Sequence, residues 1–184
     1  MRPSLLLPAI AAVLSGCASP HPAPEMAASA PLSCPAADVA LGQSWSGWNA
    51  TVPLISARNT AELTTSGFAP GQAIALSLHP DPEVAYASLP QGEGEETSFG
   101  GLARFTITEA GIYGVGAGSP LWIDVSRDGV PAVPVAYGRG VRCTPIRKVV
   151  SFELQPGDYV LEISGSETSQ VQLMIGAGGV PQPD

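Results

Sequence analysis

The stretch LARFTITEAGIYGVGAGSPLWIDVSRDG, residues 102–129, decides the fold class. Residues 102–108 alternate, placing Ala103, Phe105 and Ile107 on one face, as a half-buried strand requires. Glu109-Ala110-Gly111 turns the chain into residues 112–117, and Gly118-Ser119-Pro120 turns it again. In residues 121–127, Leu121, Ile123 and Val125 share one face while Trp122, Asp124 and Ser126 share the other. Asp128-Gly129 reads as a two-residue hairpin turn. Working outward, strands are expected at 132–137, 147–154, 159–164 and 170–175, with a Gln155-Pro156-Gly157 turn among them. Weaker candidates lie upstream at 51–56, 73–78 and 84–89. Beyond the first residues no window carries an apolar stripe of helical period. Nine or ten short strands at this spacing predict an all-β chain, a single antiparallel β-sandwich of jelly-roll type.

The first residues read differently. Leu14-Ser15-Gly16-Cys17 closes a short apolar run, residues 5–13, behind Arg2. A membrane span needs about 20 apolar residues, whereas this run has the length of a signal-peptide core. An aliphatic residue and two small ones ahead of a cysteine form the pattern of a bacterial lipobox. Residues 1–16 are therefore expected to be a lipoprotein signal peptide, with Cys17 lipidated as the bilayer anchor. Residues 17–33 hold four prolines and five alanines after the cysteine; such a segment favours an extended linker. The sandwich is expected over 34–175 and a loose tail over 176–184. The implied location is the cell envelope, facing the periplasm. Ala18 in place of an aspartate after Cys17 favours the outer membrane.

Composition narrows the function classes. The chain has 8 basic and 16 acidic residues and a net charge of −8. Nucleic-acid binding needs clustered positive charge against phosphates, so that class is excluded as a partner. With Cys17 lipidated, Cys34 and Cys143 remain as a disulfide pair, as exported chains permit. Such a bridge would close a loop for which chain-entropy estimates reach roughly 4–5 kcal/mol.

Trp122-Ile123-Asp124-Val125, Arg127-Asp128-Gly129, Cys143-Thr144-Pro145-Ile146-Arg147-Lys148 and Pro156-Gly157-Asp158-Tyr159 occur in this order. The arrangement resembles a group of small exported β-sandwich proteins of alphaproteobacteria, many carrying the label homogentisate 1,2-dioxygenase. The resemblance covers residues 34–175, most specifically 99–164. The late Pro-Gly-x-Tyr strand start is also similar to the pre-peptidase C-terminal domain, a non-catalytic sandwich attached to secreted hydrolases. The dioxygenase label implies ferrous iron held by two histidines and a carboxylate. This chain has two histidines in all, and His21 lies in the proline-rich linker, so the residues do not support that chemistry.

Candidate sites are few. His79, Asp81 and Glu83 alternate as metal ligands on a strand would, but Pro80 and Pro82 interrupt any regular strand. Glu93-Gly94-Glu95-Glu96 lacks the spacing of a calcium loop. No metal and no cofactor is expected. Trp45 and Trp48 are candidate sugar-stacking platforms, with core plugs as the plainer reading; Trp122, inside a strong strand, is expected to be packed. Asp124 needs a partner if buried, and Arg147 or Arg142 is expected to supply it. Arg139, Arg142, Arg147 and Lys148 cluster around Cys143, and Arg139, Arg142 and Arg147 form a candidate anion-binding patch. There is no Gly-x-Ser-x-Gly elbow and no His-Glu-x-x-His pair. The expectation is a non-catalytic binding or accessory protein whose partner is an anionic glycan or an envelope protein. Iron dioxygenase and carbohydrate-binding module are the alternatives.

Overall fold

The computed structural model describes residues 41–88, 97–140 and 143–179, all within the compact unit Cys34–Asp184. These residues form eleven strands: β1 (Val52–Ile55), β2 (Ala73–Ser77), β3 (His79–Pro80), β4 (Phe99–Ile107), β5 (Gly111–Ala117), β6 (Trp122–Arg127), β7 (Val130–Pro131), β8 (Pro134–Gly138), β9 (Lys148–Leu154), β10 (Gly157–Ser166) and β11 (Gln170–Ala177). The first sheet has the order β1-β2-β11-β5-β9-β8 and the second β3-β4-β10-β6-β7. Every pairing is antiparallel except that of β1 with β2. The chain is an antiparallel β-sandwich.

Strands β4, β5 and β6 alternate between the sheets, and so do β9, β10 and β11. The Gly-rich and Pro-rich turns between them are therefore arches across the core rather than hairpins. As a result β2-β11-β5-β9 faces β4-β10-β6, the interleaved order of a jelly roll. Asp128-Gly129 is a true hairpin turn, with φ of 53° and 75°, the left-handed pair that a type I′ turn requires. It joins β6 to β7 within the second sheet. Two residues after β7, β8 pairs with β9 in the first sheet. Prolines at 131 and 134 cannot donate to a ladder, and the ribbon divides between the two sheets around them.

The alternation expected from sequence fills the interior. Phe105, Ile107, Ile123, Val125, Tyr159, Leu161 and Ile163 of the second sheet, with Leu121 just ahead of β6, meet Ile74, Leu76, Val115, Val150, Phe152, Leu173 and Ile175 of the first. Phe105 and Tyr159 stack with centroids 5.6 Å apart. Each such side chain contributes about 1.5–3 kcal/mol on burial.

The first sheet is buried on its other face too. Ala73, Val149 and Met174 point away from the main core into a second apolar cluster with Trp45, Trp48 and Ile146. The two tryptophans come from a 3-10 turn, Gln43–Asn49, and are 2% and 1% exposed. This corrects the sugar-platform expectation: their rings are core, because glycines on β5 and β11 leave the space they occupy. A Cβ at Gly116 would stand 2.5 Å from Trp45 Cζ3, and one at Gly176 would stand 2.6 Å from Trp45 Cε2.

Most expected strands shift at their ends by one to three residues, and two segments differ in kind. Residues 84–88 of the expected 84–89 strand are not a strand; they follow a 3-10 turn, Asp81–Glu83, and Leu89 lies outside the described residues. Strand β11 runs on to Ala177, and the Gly178 amide donates to the Ile112 carbonyl at 2.8 Å. Those residues belong to the sandwich rather than to a tail.

Overpacking the tryptophan cluster tests its weight. Gly116→Ala or Gly176→Ala is expected to cost about 1–3 kcal/mol in urea denaturation. Gly118→Ala, whose Cβ meets nothing nearer than 3.6 Å, should leave the midpoint in place. Equal midpoints for all three variants would show that the Trp45 ring yields freely.

Candidate functional site

The outward face of the second sheet is polar and largely closed to water. Strand alternation puts Glu162 of β10 opposite Asp124 of β6, and both are buried. The Glu162 carboxylate accepts from the Ser88 amide at 3.0 Å, the Ser88 hydroxyl at 2.8 Å and the Ser126 hydroxyl at 2.7 Å. Asp81 accepts from the Tyr86 hydroxyl, the Ser98 hydroxyl and the Gly165 amide. Tyr86 also reaches the Ile163 carbonyl at 3.1 Å. Residues 81–88 are thus tied across the sheet by two buried carboxylates. Gly100 makes this possible: a Cβ there would fall on the Tyr86 hydroxyl and the Asp81 carboxylate. Burial pushes the Tyr86 hydroxyl far above its ordinary range, and its bond to Asp81 pushes the same way.

The basic segment is split by alternation. Arg147 is exposed, whereas Lys148 is half-buried. Lys148 Nζ donates to the Leu121 carbonyl at 2.6 Å and lies 5.0 Å from the Trp122 ring centroid. Burial lowers the Lys148 pKa, and the Asp124 charge opposes that shift. As the first residue of β9, Lys148 is held over the start of β6, where its charge acts on Asp124; of the two expected partners, Arg147 is exposed and Arg142 lies outside the described residues. Trp122 is 45% exposed, contrary to the packed position expected of it. Its strand face is the outward one, and only Asp124 and Ser126 further along are covered.

Arg139 and Arg147 project into solvent at the end of an apolar strip. Val130, Val133, Val135 and Tyr137 are 67%, 81%, 51% and 71% exposed. Strand β8 is the outermost strand of its sheet, and among the described residues the single ion pair is Arg127 with Asp128. Arg142, the third arginine of the expected patch, lies outside the described residues, as do Cys17 and Cys34. Cys143 is a bonded side chain rather than a free thiol, at a positive φ of 65°.

A groove of about 550 Å³ runs beside β1, lined among others by Leu54, Ile55, Arg58, Glu62 and His79. His79 Nε2 donates to the Ser56 carbonyl at 2.9 Å, and Nδ1 accepts from Arg58 Nε at 3.4 Å. Glu62 Oε2 accepts from the Arg58 amide at 2.9 Å and Oε1 from the Asn59 side chain at 3.2 Å. The Arg58 amide is the main cause holding the Glu62 carboxyl below its ordinary range. His79, Asp81 and Glu83 do not converge: His79 faces Arg58, Asp81 is buried under Tyr86, and Glu83 is exposed. Neither nitrogen of His79 engages a hydroxyl, so no serine is paired with it. Sequence reasoning passed over Arg58 and Glu62 because they join through the turn at Asn59, whose side chain caps Thr60–Thr65. It also missed Glu162, although a carboxylate between Leu161 and Ile163 in a strand is a legible signal of a buried acceptor.

Comparison with protein-family models gives no match, and no curated protein matches the chain. The likeness to exported sandwich proteins therefore rests on the quoted motifs alone.

The Tyr86 contact carries a pH signature. Unfolded tyrosine titrates near pH 10, while folded Tyr86 holds its proton beyond that. Its contribution is fully present below about pH 10 and declines as pH rises further. Tyr86→Phe should cost about 1–3 kcal/mol at neutral pH and should also flatten the alkaline decline in urea-measured stability. The Lys148 shift acts in the opposite sense and is common to both proteins, so it cancels in the comparison. An unchanged alkaline slope in Tyr86→Phe would remove the linkage.

Proposed function

We propose that this protein is a lipid-anchored component of the cell envelope, held by acylated Cys17, facing the periplasm and favouring the outer membrane. Its role is non-catalytic: it binds another envelope protein through the strip Val130–Tyr137 and the arginines at its end. The observation that carries this reading is four exposed apolar side chains within eight residues on an edge ribbon, next to Arg139 and Arg147. In an acidic chain those two arginines have no carboxylate within 4.0 Å among the described residues. An exposed apolar patch with a charged rim suits a protein surface of complementary shape and acidic rim. Three of the four exposed side chains are valines, which do not stack on sugars, and Trp45 and Trp48 are buried, so the protein partner is favoured over an anionic glycan or a carbohydrate ligand. The iron dioxygenase reading gains no support from His79, whose ring is committed to Ser56 and Arg58. We assign Cys34 as the partner of Cys143. That bridge would tie the start of the domain to the loop ahead of β9.

Three measurements test the reading. Wild-type protein should sediment with envelopes, while Cys17→Ser should be released or remain as uncleaved precursor. Photo-crosslinkers placed at Val133 and Val135 in cells should capture an envelope protein, capture should fail from Thr168, and Arg139→Glu with Arg147→Glu should abolish it. Sedimentation that survives Cys17→Ser removes the anchor; crosslinking alike from all three positions removes the interface. Peptide mapping of unreduced protein should show Cys34 joined to Cys143, and two free thiols there would refute the bridge.

A further inference from the structure

The groove beside β1 is not needed by the proposed interface, and its chemistry is different. Its volume, about 550 Å³, falls within the range of small-molecule sites. Its lining includes the apolar side chains of Pro53 and Ile55 and the Thr64, Thr65 and Ser66 segment, while Leu54, on the other face of β1, packs against the main core. The same lining holds one cation and one anion, Arg58 and Glu62, that do not form an ion pair with each other. Both are set in place by local hydrogen bonds. The Ser56 carbonyl fixes the His79 ring, and His79 Nδ1 takes the Arg58 Nε proton. With Nε engaged, the terminal edge of the guanidinium is left for a carboxylate, which that edge can bind bidentately. Each Glu62 oxygen accepts one bond, from the Arg58 amide and from Asn59. Each retains acceptor capacity.

A plain carboxylate would meet Glu62 as a like charge, and a plain amine would meet Arg58. A ligand carrying both charges a few bonds apart, with an aliphatic body, complements all three features. We propose that this groove binds a free aliphatic α-amino acid. Arg58 takes its carboxylate, Glu62 its ammonium, and Pro53 and Ile55 its side chain. His79 is a positioning residue that orients Arg58.

The probe is L-leucine, titrated calorimetrically into the full-length protein with backbone amide shifts recorded in parallel. Saturable binding is expected, with shifts confined to residues 53–66 and 79. L-leucinamide lacks the carboxylate and 4-methylpentanoate lacks the ammonium; both should bind at least tenfold more weakly. Arg58→Gln and Glu62→Gln should each weaken leucine at least tenfold at an unchanged melting temperature. The two analogues are tested on the unaltered protein, so the inference remains falsifiable should either variant melt early. No saturable leucine binding, or 4-methylpentanoate binding as tightly as leucine, overturns it, as do variants that bind as the wild type does. The assay contains neither membrane nor protein partner, so its failure is separate from failure of the envelope-interface reading.

Discussion

The approach of the Trp45 ring to two glycines conditions much of the rest. Gly116 and Gly176 lie on neighbouring strands, β5 and β11, and any Cβ at either would overlap the indole. Because the ring can settle there, the first sheet buries both faces. Its central strands can then carry apolar residues in succession, as in Leu173-Met174-Ile175 and Val149-Val150. Without that cover, Ala73, Val149 and Met174 would form an exposed apolar patch on the outside of the sandwich.

The second sheet solves the same problem with polar chemistry. Its outward positions include Glu162, Asp124 and Ser126, which are buried and therefore need partners. For Glu162 the partners are Ser88 and Ser126, and residues 81–88 are fastened down by Asp81 and Tyr86. The edge of β4 is closed piecemeal, by β3 at Phe99–Gly100, by Ala57 at Leu102 and by Gly67 at Arg104. Three short segments so cover an edge that would otherwise be open to another chain. The same construction brings Arg58 and His79 together, since Ala57 and β3 both dock on β4. The groove is a by-product of how that edge is sealed.

Much of the fold was legible because period-two alternation is local and survives any arrangement of sheets. Phe105, Ile123, Val125, Leu161 and Ile163 all face the core that their spacing implies. Asp128-Gly129 was legible for a similar reason, as few other pairs adopt two consecutive positive φ values. The site residues were less so. Trp122 and Trp48 are the same residue type, yet one is exposed and the other buried, and nothing within a few positions of either separates them. The difference lies in what packs against each: Trp48 lies over Gly116 and Gly118 inside a closed apolar cluster, whereas Trp122 lies beside Gly165 and Lys148 and keeps one side in water.

By itself the sequence determined most of the strand pattern, and with it the β-sandwich class, and the hairpin at Asp128-Gly129, since alternation and turn chemistry depend on residues adjacent in the chain; its acidity follows from composition alone. Tertiary structure alone decided what covers the outward face of each sheet, that Lys148 lies over the start of β6, and that Arg58, Glu62 and His79 line one groove. Those outcomes depend on strands far apart in sequence meeting in register, where a single missing Cβ or one buried carboxylate selects the neighbour.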